Sequence, residues 1–379
     1  MRLPVRACVA LGAPAARAAV LLRTALLPAA LLLASCEHAQ PFGAADLGPN
    51  APFSTALPRQ LTFDTAGDLA PAWLSDASGI IYSFQRYDRA DRDRCLAVLP
   101  AEGGHAVQTI CHRSVLDSDS TNSLWSPAVG PGGVLAYVRE SSRPLGPAPA
   151  SRELVVATLG DPDPGRVIRT LPYTAPDGAI HSTATHLAWV DAQTLVYLAE
   201  NVLYTFPPLP YDTILTPVEA VRISLAGDSV ALSVLPGTAG ATSVTADAAG
   251  AIYYTLLGDS KIYRLDAGGG AAAVVYDFGP TGAVRDVVAA GGKLFAVAGH
   301  RTAADSGGDV YLVDPAAGTA TAISSQGALW FRRPAVSPSG ARIAALGYTL
   351  RIFLRNPGDP NSVDTAATGS PHLYLLGSP

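Results

Sequence analysis

The sequence predicts an all-β fold, a six-bladed β-propeller built from four-stranded antiparallel blades. Three observations support this prediction. A small-residue turn followed by a run of β-branched and aromatic residues recurs six times. The recurrences are about one blade apart, and no long amphipathic helical pattern interrupts them. The chain has 379 residues, of which 49% are hydrophobic and only 15% charged, so it can bury a large core.

We take one equivalent residue in each copy of the repeat as its reference residue and measure the sequence spacing from one reference residue to the next. The spacings between consecutive reference residues are 56, 60, 55, 43 and 49 residues, enough each time for four short strands and their turns. A hairpin turn and a second alternating strand follow each reference residue. The reference residues are Trp73, Val129, Trp189, Val244, Val287 and Val336.

Third and fourth strands recur behind these hairpins. Third strands are predicted at 261–266, 309–314 and 372–376, and a fourth strand at 272–276. The last repeat lacks a fourth strand of its own. We therefore expect residues 59–63, which precede the first repeat, to supply that strand and to close the ring without an exposed sheet edge.

The amino-terminal residues are predicted to be an export signal. Residues 1–35 contain four arginines and no acidic residue, and their last apolar run is too short to span a membrane. The run ends in Leu33-Ala34-Ser35-Cys36, which resembles the lipobox of bacterial lipoproteins. This resemblance implies that Cys36 is acylated and holds the protein at a membrane. The alternative is an ordinary cleaved signal with a chance cysteine. Residues 36–58 predict a flexible tether, and residues 59–379 a single propeller domain.

The charge of the exported chain restricts its partners. Removal of residues 1–35 leaves 22 basic and 31 acidic residues, a net charge of about −9. An acidic surface disfavours nucleic acid and anionic lipid, so the acyl chains are expected to be the only membrane contact. Glu37 follows the cysteine where aspartate would resemble an inner-membrane retention signal, which implies the periplasmic face of the outer membrane. We expect a monomer that binds an envelope protein or peptide.

Two cysteines remain for the propeller. The residues between Cys95 and Cys111 predict a hairpin that turns at Gly103-Gly104, which places the two cysteines opposite each other. An oxidising compartment permits a disulfide between them. Two buried free thiols are the alternative.

Propeller ligands usually bind at the wide end of the central funnel, which is lined by the start of each innermost strand. The residues predicted to lie there are Ser126, His186, Arg285, Asp286 and Arg333. Arg285 and Arg333 are expected to offer forked hydrogen bonds to a carboxylate. The alternative is that they pair with Asp286 or another acidic neighbour.

A cation site is a second candidate, in residues 117–122. Asp117 and Asp119 alternate with other oxygen-bearing side chains, as hard cations require. Ala128 stands where an EF-hand loop would have glutamate, so a simple turn is favoured, with calcium as the alternative. No other cofactor is expected. The sequence also lacks the usual hydrolase and phosphate-loop motifs.

The repeats carry two family resemblances. The copies at 71–82 and 334–345 resemble the proline-small-aromatic-serine-proline-aspartate-glycine repeat of TolB-type propellers, although Ser339 replaces the aspartate and Val336 the tryptophan. The segments 250–254 and 262–266 resemble propellers of the NHL and gluconolactonase type. Both resemblances imply the propeller fold over residues 59–379.

The resemblances say less about activity than about fold. Gluconolactonase-like propellers place acidic metal ligands around the axis, where this chain has mostly alanine, serine and arginine. The sequence therefore favours a non-catalytic protein- or peptide-binding scaffold of the cell envelope. A funnel-centred enzyme of the metal-assisted lactonase or lyase type is the alternative.

Overall fold

The computed structural model describes residues 57–63, 67–85, 94–112, 121–142, 151–171, 179–204, 213–215, 218–280, 282–300, 308–324, 329–354 and 363–377. All of them belong to one compact unit, Pro52–Pro379. Their strands form six antiparallel sheets, which are the six blades of a β-propeller. Within this part of the chain the only helix is a short 3-10 turn at Pro131–Gly133, and no helix is long and apolar enough to span a membrane.

Blades 1 to 3 come from the first half of the described chain. Blade 1 contains β2 (Leu69–Trp73), β3 (Gly79–Gln85), β4 (Arg94–Pro100) and β5 (Gln108–Ile110). Blade 2 contains β6 (Thr121–Val129), β7 (Val134–Ser142), β8 (Ser151–Thr158) and β9 (Asp161–Leu171). Blade 3 contains β10 (Ala179–Asp191), β11 (Thr194–Tyr204), β13 (Glu219–Ala226) and β14 (Ser229–Val234), with the short β12 (Thr213–Leu215) paired to β11.

Blades 4 to 6 complete the ring. Blade 4 contains β15 (Ala241–Ala246), β16 (Ile252–Leu256), β17 (Lys261–Leu265) and β18 (Ala273–Asp277). Blade 5 contains β19 (Gly282–Ala290), β20 (Lys293–His300), β21 (Asp309–Asp314) and β22 (Thr319–Ala322). Blade 6 contains β23 (Leu329–Val336), β24 (Ile343–Leu354) and β25 (Val363–Leu376), and its fourth strand is β1 (Arg59–Gln60).

The repeat predicted from the sequence is the repeat of the structure. All six reference residues lie on the innermost strand of their blade, and the third strands predicted at 261–266, 309–314 and 372–376 fall on β17, β21 and β25. The fold prediction is therefore confirmed.

Ring closure is also confirmed, although the regular strand is shorter than expected. Arg59 and Gln60 pair with Leu375 and Tyr374 of β25. The Leu61 N–H then donates to the Leu373 carbonyl oxygen at 2.7 Å, and the Leu373 N–H donates to the Thr62 hydroxyl at 2.8 Å. The first described residues therefore fasten the last blade to the first and cover its sheet edge.

The core lies between neighbouring blades. Successive side chains of a strand point to opposite faces of the sheet, so each blade packs against both of its neighbours. On β3, Ile80 packs in a cluster with Leu346 of blade 6, whereas the adjacent Ile81 packs with Leu135 of blade 2. One such cluster of buried residues fills each of the six interfaces. This packing holds the six innermost strands around a common axis.

Candidate functional site

The innermost strands surround a cavity of about 460 Å³ on the axis of the propeller. Every blade contributes to its lining. The lining includes one residue from each innermost strand that lies one to three positions before the reference residue. These residues are Ala70, Ser126, His186, Ser243, Asp286 and Arg333. We call this cavity the funnel, and it is the place where the sequence predicts a ligand.

Four blades present the same backbone bulge to the funnel. In each, the innermost strand has one residue more than its partner strand, and the bulged residue lies three positions before the reference residue. The bulged residues are Ala70, Ser126, His186 and Arg333, with φ between 47° and 51°. This left-handed conformation is unfavourable for residues other than glycine, and such strain is most common at functional sites.

Blades 4 and 5 have a different bulge. In blade 4 the extra residue lies between Ala241 and Ser243, and in blade 5 it lies between Val284 and Asp286. No described residue of these two innermost strands has a positive φ. The bulge in blade 5 turns Asp286 towards the funnel. Arg285 is buried, with 3% of its surface exposed, but it is not part of the funnel lining. The expectation that Arg285 lines the funnel beside Arg333 therefore fails, because blade 5 uses the other bulge.

Asp286 is the centre of a polar cluster that joins three blades. Its side chain is 1% exposed. One carboxylate oxygen lies 3.2 Å from His186 Nε2 of blade 3. The other accepts hydrogen bonds from Arg332 Nε at 3.0 Å and from the Arg333 backbone N–H at 3.1 Å, both in blade 6. Of the two arginines that the sequence named as alternative partners of Asp286, only Arg333 contacts it in these bonds, and it does so through its backbone; the side-chain partners are His186 and Arg332.

The contacts within this polar cluster determine the protonation states of Asp286 and His186. Burial alone would raise the pKa of Asp286, but Arg332, His186 and Arg333 together hold it well below its usual range. Burial, together with the nearby Arg333, lowers the pKa of His186 to about 4 against the opposing effect of Asp286. At neutral pH the cluster therefore contains an ionised Asp286 and an uncharged imidazole.

Arg333 is the cation that this cluster leaves available. Its backbone N–H binds Asp286, but no hydrogen bond or ion pair joins its guanidinium to another residue of the described chain. Burial lowers the pKa of Arg333, while Asp286 and, more weakly, Glu200 raise it. Arg332 and Arg333 therefore lie beside the ionised carboxylate of Asp286, and Glu200 adds a weaker negative influence on Arg333.

Arg332 is the member of the cluster that the sequence does not single out. It stands next to Arg333 in the chain. This pair of arginines before the proline of the sixth repeat was the sequence feature that could have indicated a role for Arg332. Its role depends on a contact with Asp286, 46 residues away in another blade. Strand spacing alone does not show that contact.

The remaining candidates lie outside the funnel. Leu96 pairs with Ile110 and Val98 with Gln108, which confirms the register predicted for the β4–β5 hairpin. The structure joins Cys95 to Cys111 by a disulfide, with their Cα atoms 4.6 Å apart. Asp117, Asp119 and Cys36 lie outside the described residues, as do the whole of the predicted signal and almost all of the tether.

The funnel residues do not fit a divalent metal. Among the described residues, no group of three or more His, Cys, Asp or Glu side chains is placed to hold a metal ion. His186 and Asp286 are a single pair of donors already in contact with each other. The cationic Arg332 and Arg333 beside them would oppose a second positive charge. The donor set of the described funnel is thus suited to an anion.

No family model matches the chain, and no curated protein matches it in sequence. The TolB-type resemblance therefore stays a prediction. Similar solved structures include a gluconolactonase from Xanthomonas campestris, with a TM-score of 0.47 and 15% identity over 85% of this chain and 89% of that one. An oligogalacturonate lyase in complex with manganese has a TM-score of 0.45 and 12% identity over 84% and 92%. A calcium-binding regucalcin from Agrobacterium tumefaciens has a TM-score of 0.44 and 14% identity over 85% and 93%. Similarity at this level transfers no activity or metal to this chain.

Proposed function

We propose that this protein is a non-catalytic binding module of the cell envelope whose funnel receives a carboxylate group of a protein or peptide partner. One observation carries the proposal. Arg333 lines the funnel, and the carboxylate of Asp286 is already engaged by His186, Arg332 and the Arg333 backbone.

The chemistry of the guanidinium favours a carboxylate as the ligand. A guanidinium has a planar fork of N–H donors that matches the two oxygens of a carboxylate. A half-buried cation without a partner is costly, and an incoming anion relieves that cost. Asp286 keeps its negative charge and holds Arg332 and the Arg333 backbone in place, so the site is formed before the ligand arrives.

Titrations with a small carboxylate test this proposal. The probe is N-acetylalanine, with N-acetylalaninamide as its uncharged match, and the signal is the fluorescence of Trp73 and Trp189, which line the funnel. A charged hydrogen bond adds about 1.5 to 3 kcal/mol, so the carboxylate should bind at least about ten-fold more tightly than the amide.

Two variants locate the binding. Arg333→Gln should remove the difference between carboxylate and amide. Arg264→Gln is the matched control, because Arg264 is 43% exposed and pairs with Asp266 on an outer strand of blade 4. Equal binding of the two probes by the wild-type protein would refute a carboxylate site.

Catalysis in the same funnel is the second candidate, and the contact between His186 and Asp286 is the observation that favours it. An uncharged imidazole beside a carboxylate can act as a general base. Here, however, Nε2 faces Asp286 and Nδ1 lies 3.4 Å from the Thr185 hydroxyl, so both ring nitrogens already face protein groups. Lactone hydrolysis by the purified protein that is abolished in His186→Gln, with or without added manganese or calcium, would favour the enzyme over the binding module.

We also propose that acylated Cys36 holds the propeller at the periplasmic face of the outer membrane. The lipobox-like sequence supports this location, and the acidic charge of the exported chain supports attachment through acyl chains alone. Cys36→Ser should move the protein from the membrane fraction to the soluble periplasmic fraction. An unchanged distribution would contradict a lipid anchor at this residue.

A further inference from the structure

The ionisable side chains of the funnel lie at one level of it. His186 and Arg333 lie three positions before the reference residues of their strands, and Asp286, which contacts both of these residues, lies one position before Val287. The reference residues lie up to three positions further along these strands, which is about 10 Å for an extended chain. A ligand held by Arg333 therefore extends its remaining atoms towards the level of the reference residues.

The wall at that level is mainly apolar. The rings of Trp73 and Trp189 line it together with the half-buried side chains of Leu187 and Val288, and small alanines lie between them. Trp73 is buried, whereas Trp189, Leu187 and Val288 remain partly exposed. Covering them with an apolar group would remove that surface from water.

Backbone polar groups at this level are already satisfied by neighbouring blades. Trp73 Nε1 donates to the Ala335 carbonyl oxygen at 2.9 Å, and Trp189 Nε1 donates to that of Ala128 at 3.1 Å. The Ser243 hydroxyl accepts from the Val287 N–H at 3.1 Å and donates to its carbonyl oxygen at 3.3 Å. These backbone groups need no hydrogen bond from a ligand, so an apolar group can lie against them without leaving them unpaired.

We infer that the funnel recognises a carboxylate carried on an apolar body, with the carboxylate at Arg333 and the body against the partly exposed side chains of Trp189, Leu187 and Val288. This inference rests on the proposed carboxylate site and adds the class of ligand. Two sources share the chemistry: the free carboxyl terminus of a peptide that ends in an apolar residue, and a short alkyl carboxylate.

Two series of probes test the inference on the wild-type protein. The peptide series is N-acetylglycine, N-acetylalanine, N-acetylvaline and N-acetylleucine, and the alkyl series is acetate, butyrate and hexanoate. Each buried methylene should tighten binding by roughly four-fold until the body reaches the end of the wall. The series that binds more tightly at equal apolar size identifies the source.

A variant in the wall gives a second readout. Val288→Thr keeps the shape of the side chain but places a hydroxyl in the apolar wall. It should weaken N-acetylleucine by a larger factor than N-acetylglycine, and its thermal unfolding checks that the fold is intact. Equal affinity for glycine and leucine derivatives, or for acetate and hexanoate, would overturn the apolar body and leave the carboxylate site standing. Absence of binding by every carboxylate would overturn the carboxylate site as well.

Discussion

Blades 1, 2, 3 and 6 differ from blades 4 and 5 in how their innermost strands bend. In the first group a residue with positive φ forms the bulge, whereas in the second the extra residue keeps a negative φ. The two kinds of bulge place different positions of the repeat in the funnel. Asp286 of blade 5 contacts His186 of blade 3 and Arg332 of the adjacent blade 6.

The difference shows how a repeated fold builds a site that does not repeat. Six equivalent blades with one kind of bulge would present equivalent positions around the axis. A change of bulge in two blades brings an acidic residue opposite an imidazole and beside two arginines. The candidate site therefore depends on the difference between the two kinds of bulge.

The largest loss of stability is expected on substitution of Asp286, which joins the two groups of blades. Asp286→Asn removes the buried negative charge that contacts Arg332 and lies beside Arg333. Loss of one partner from a buried ion pair costs about 3 to 5 kcal/mol, so the free energy of unfolding in urea should fall by that amount. Asp266→Asn is the control, since Asp266 is 73% exposed and its pair with Arg264 contributes under about 1 kcal/mol. Similar losses for both variants would show that Asp286 has no special role.

The second effect is a dependence of stability on pH. The pKa of His186 is about 4 in the folded protein against 6.5 for an unperturbed histidine, so the unfolded chain takes up a proton first as the pH falls. The wild-type protein should lose about 3 kcal/mol of stability between pH 6.5 and 4 from this residue. His186→Gln should lack this loss when urea unfolding is followed across the same range. An identical pH profile for the two proteins would contradict a buried, uncharged His186.

The smallest effect compares the two bulges directly. Ala70 has a φ of 47°, which costs about 1 to 2 kcal/mol for an alanine, so Ala70→Gly should be neutral or raise stability by up to about 1 kcal/mol. Ala241, at the start of the other kind of bulge, is 2% exposed and does not have a positive φ. Ala241→Gly should therefore lower stability by about 1 kcal/mol. Changes of the same sign in thermal melts would remove the distinction between the two groups of blades.

The sequence predicted the fold better than the site, for a physical reason. The six reference residues and the closing segment carry local patterns of strand and turn, and such patterns survive as a repeat in the chain. The contact of His186 with Asp286 joins residues that are 100 positions apart, and it depends on a one-residue bulge that no turn motif marks. Counting two positions back from Val287 pointed to Arg285, whereas the residue that lines the funnel is the next one, Asp286. The resemblance of the fourth repeat to a different propeller type was the one sequence signal that the blades are not all alike.

A crystal structure of the protein with 4-bromobenzoate tests the central claim most directly. This probe has one carboxylate and an apolar ring, and the anomalous scattering of bromine locates one end without reference to a model. The account predicts the carboxylate within hydrogen-bond distance of the Arg333 guanidinium and the bromine peak inside the funnel, against Trp189, Leu187 or Val288. A bromine peak on the outer surface, or a funnel that holds the ring with its carboxylate directed away from Arg333, would contradict it.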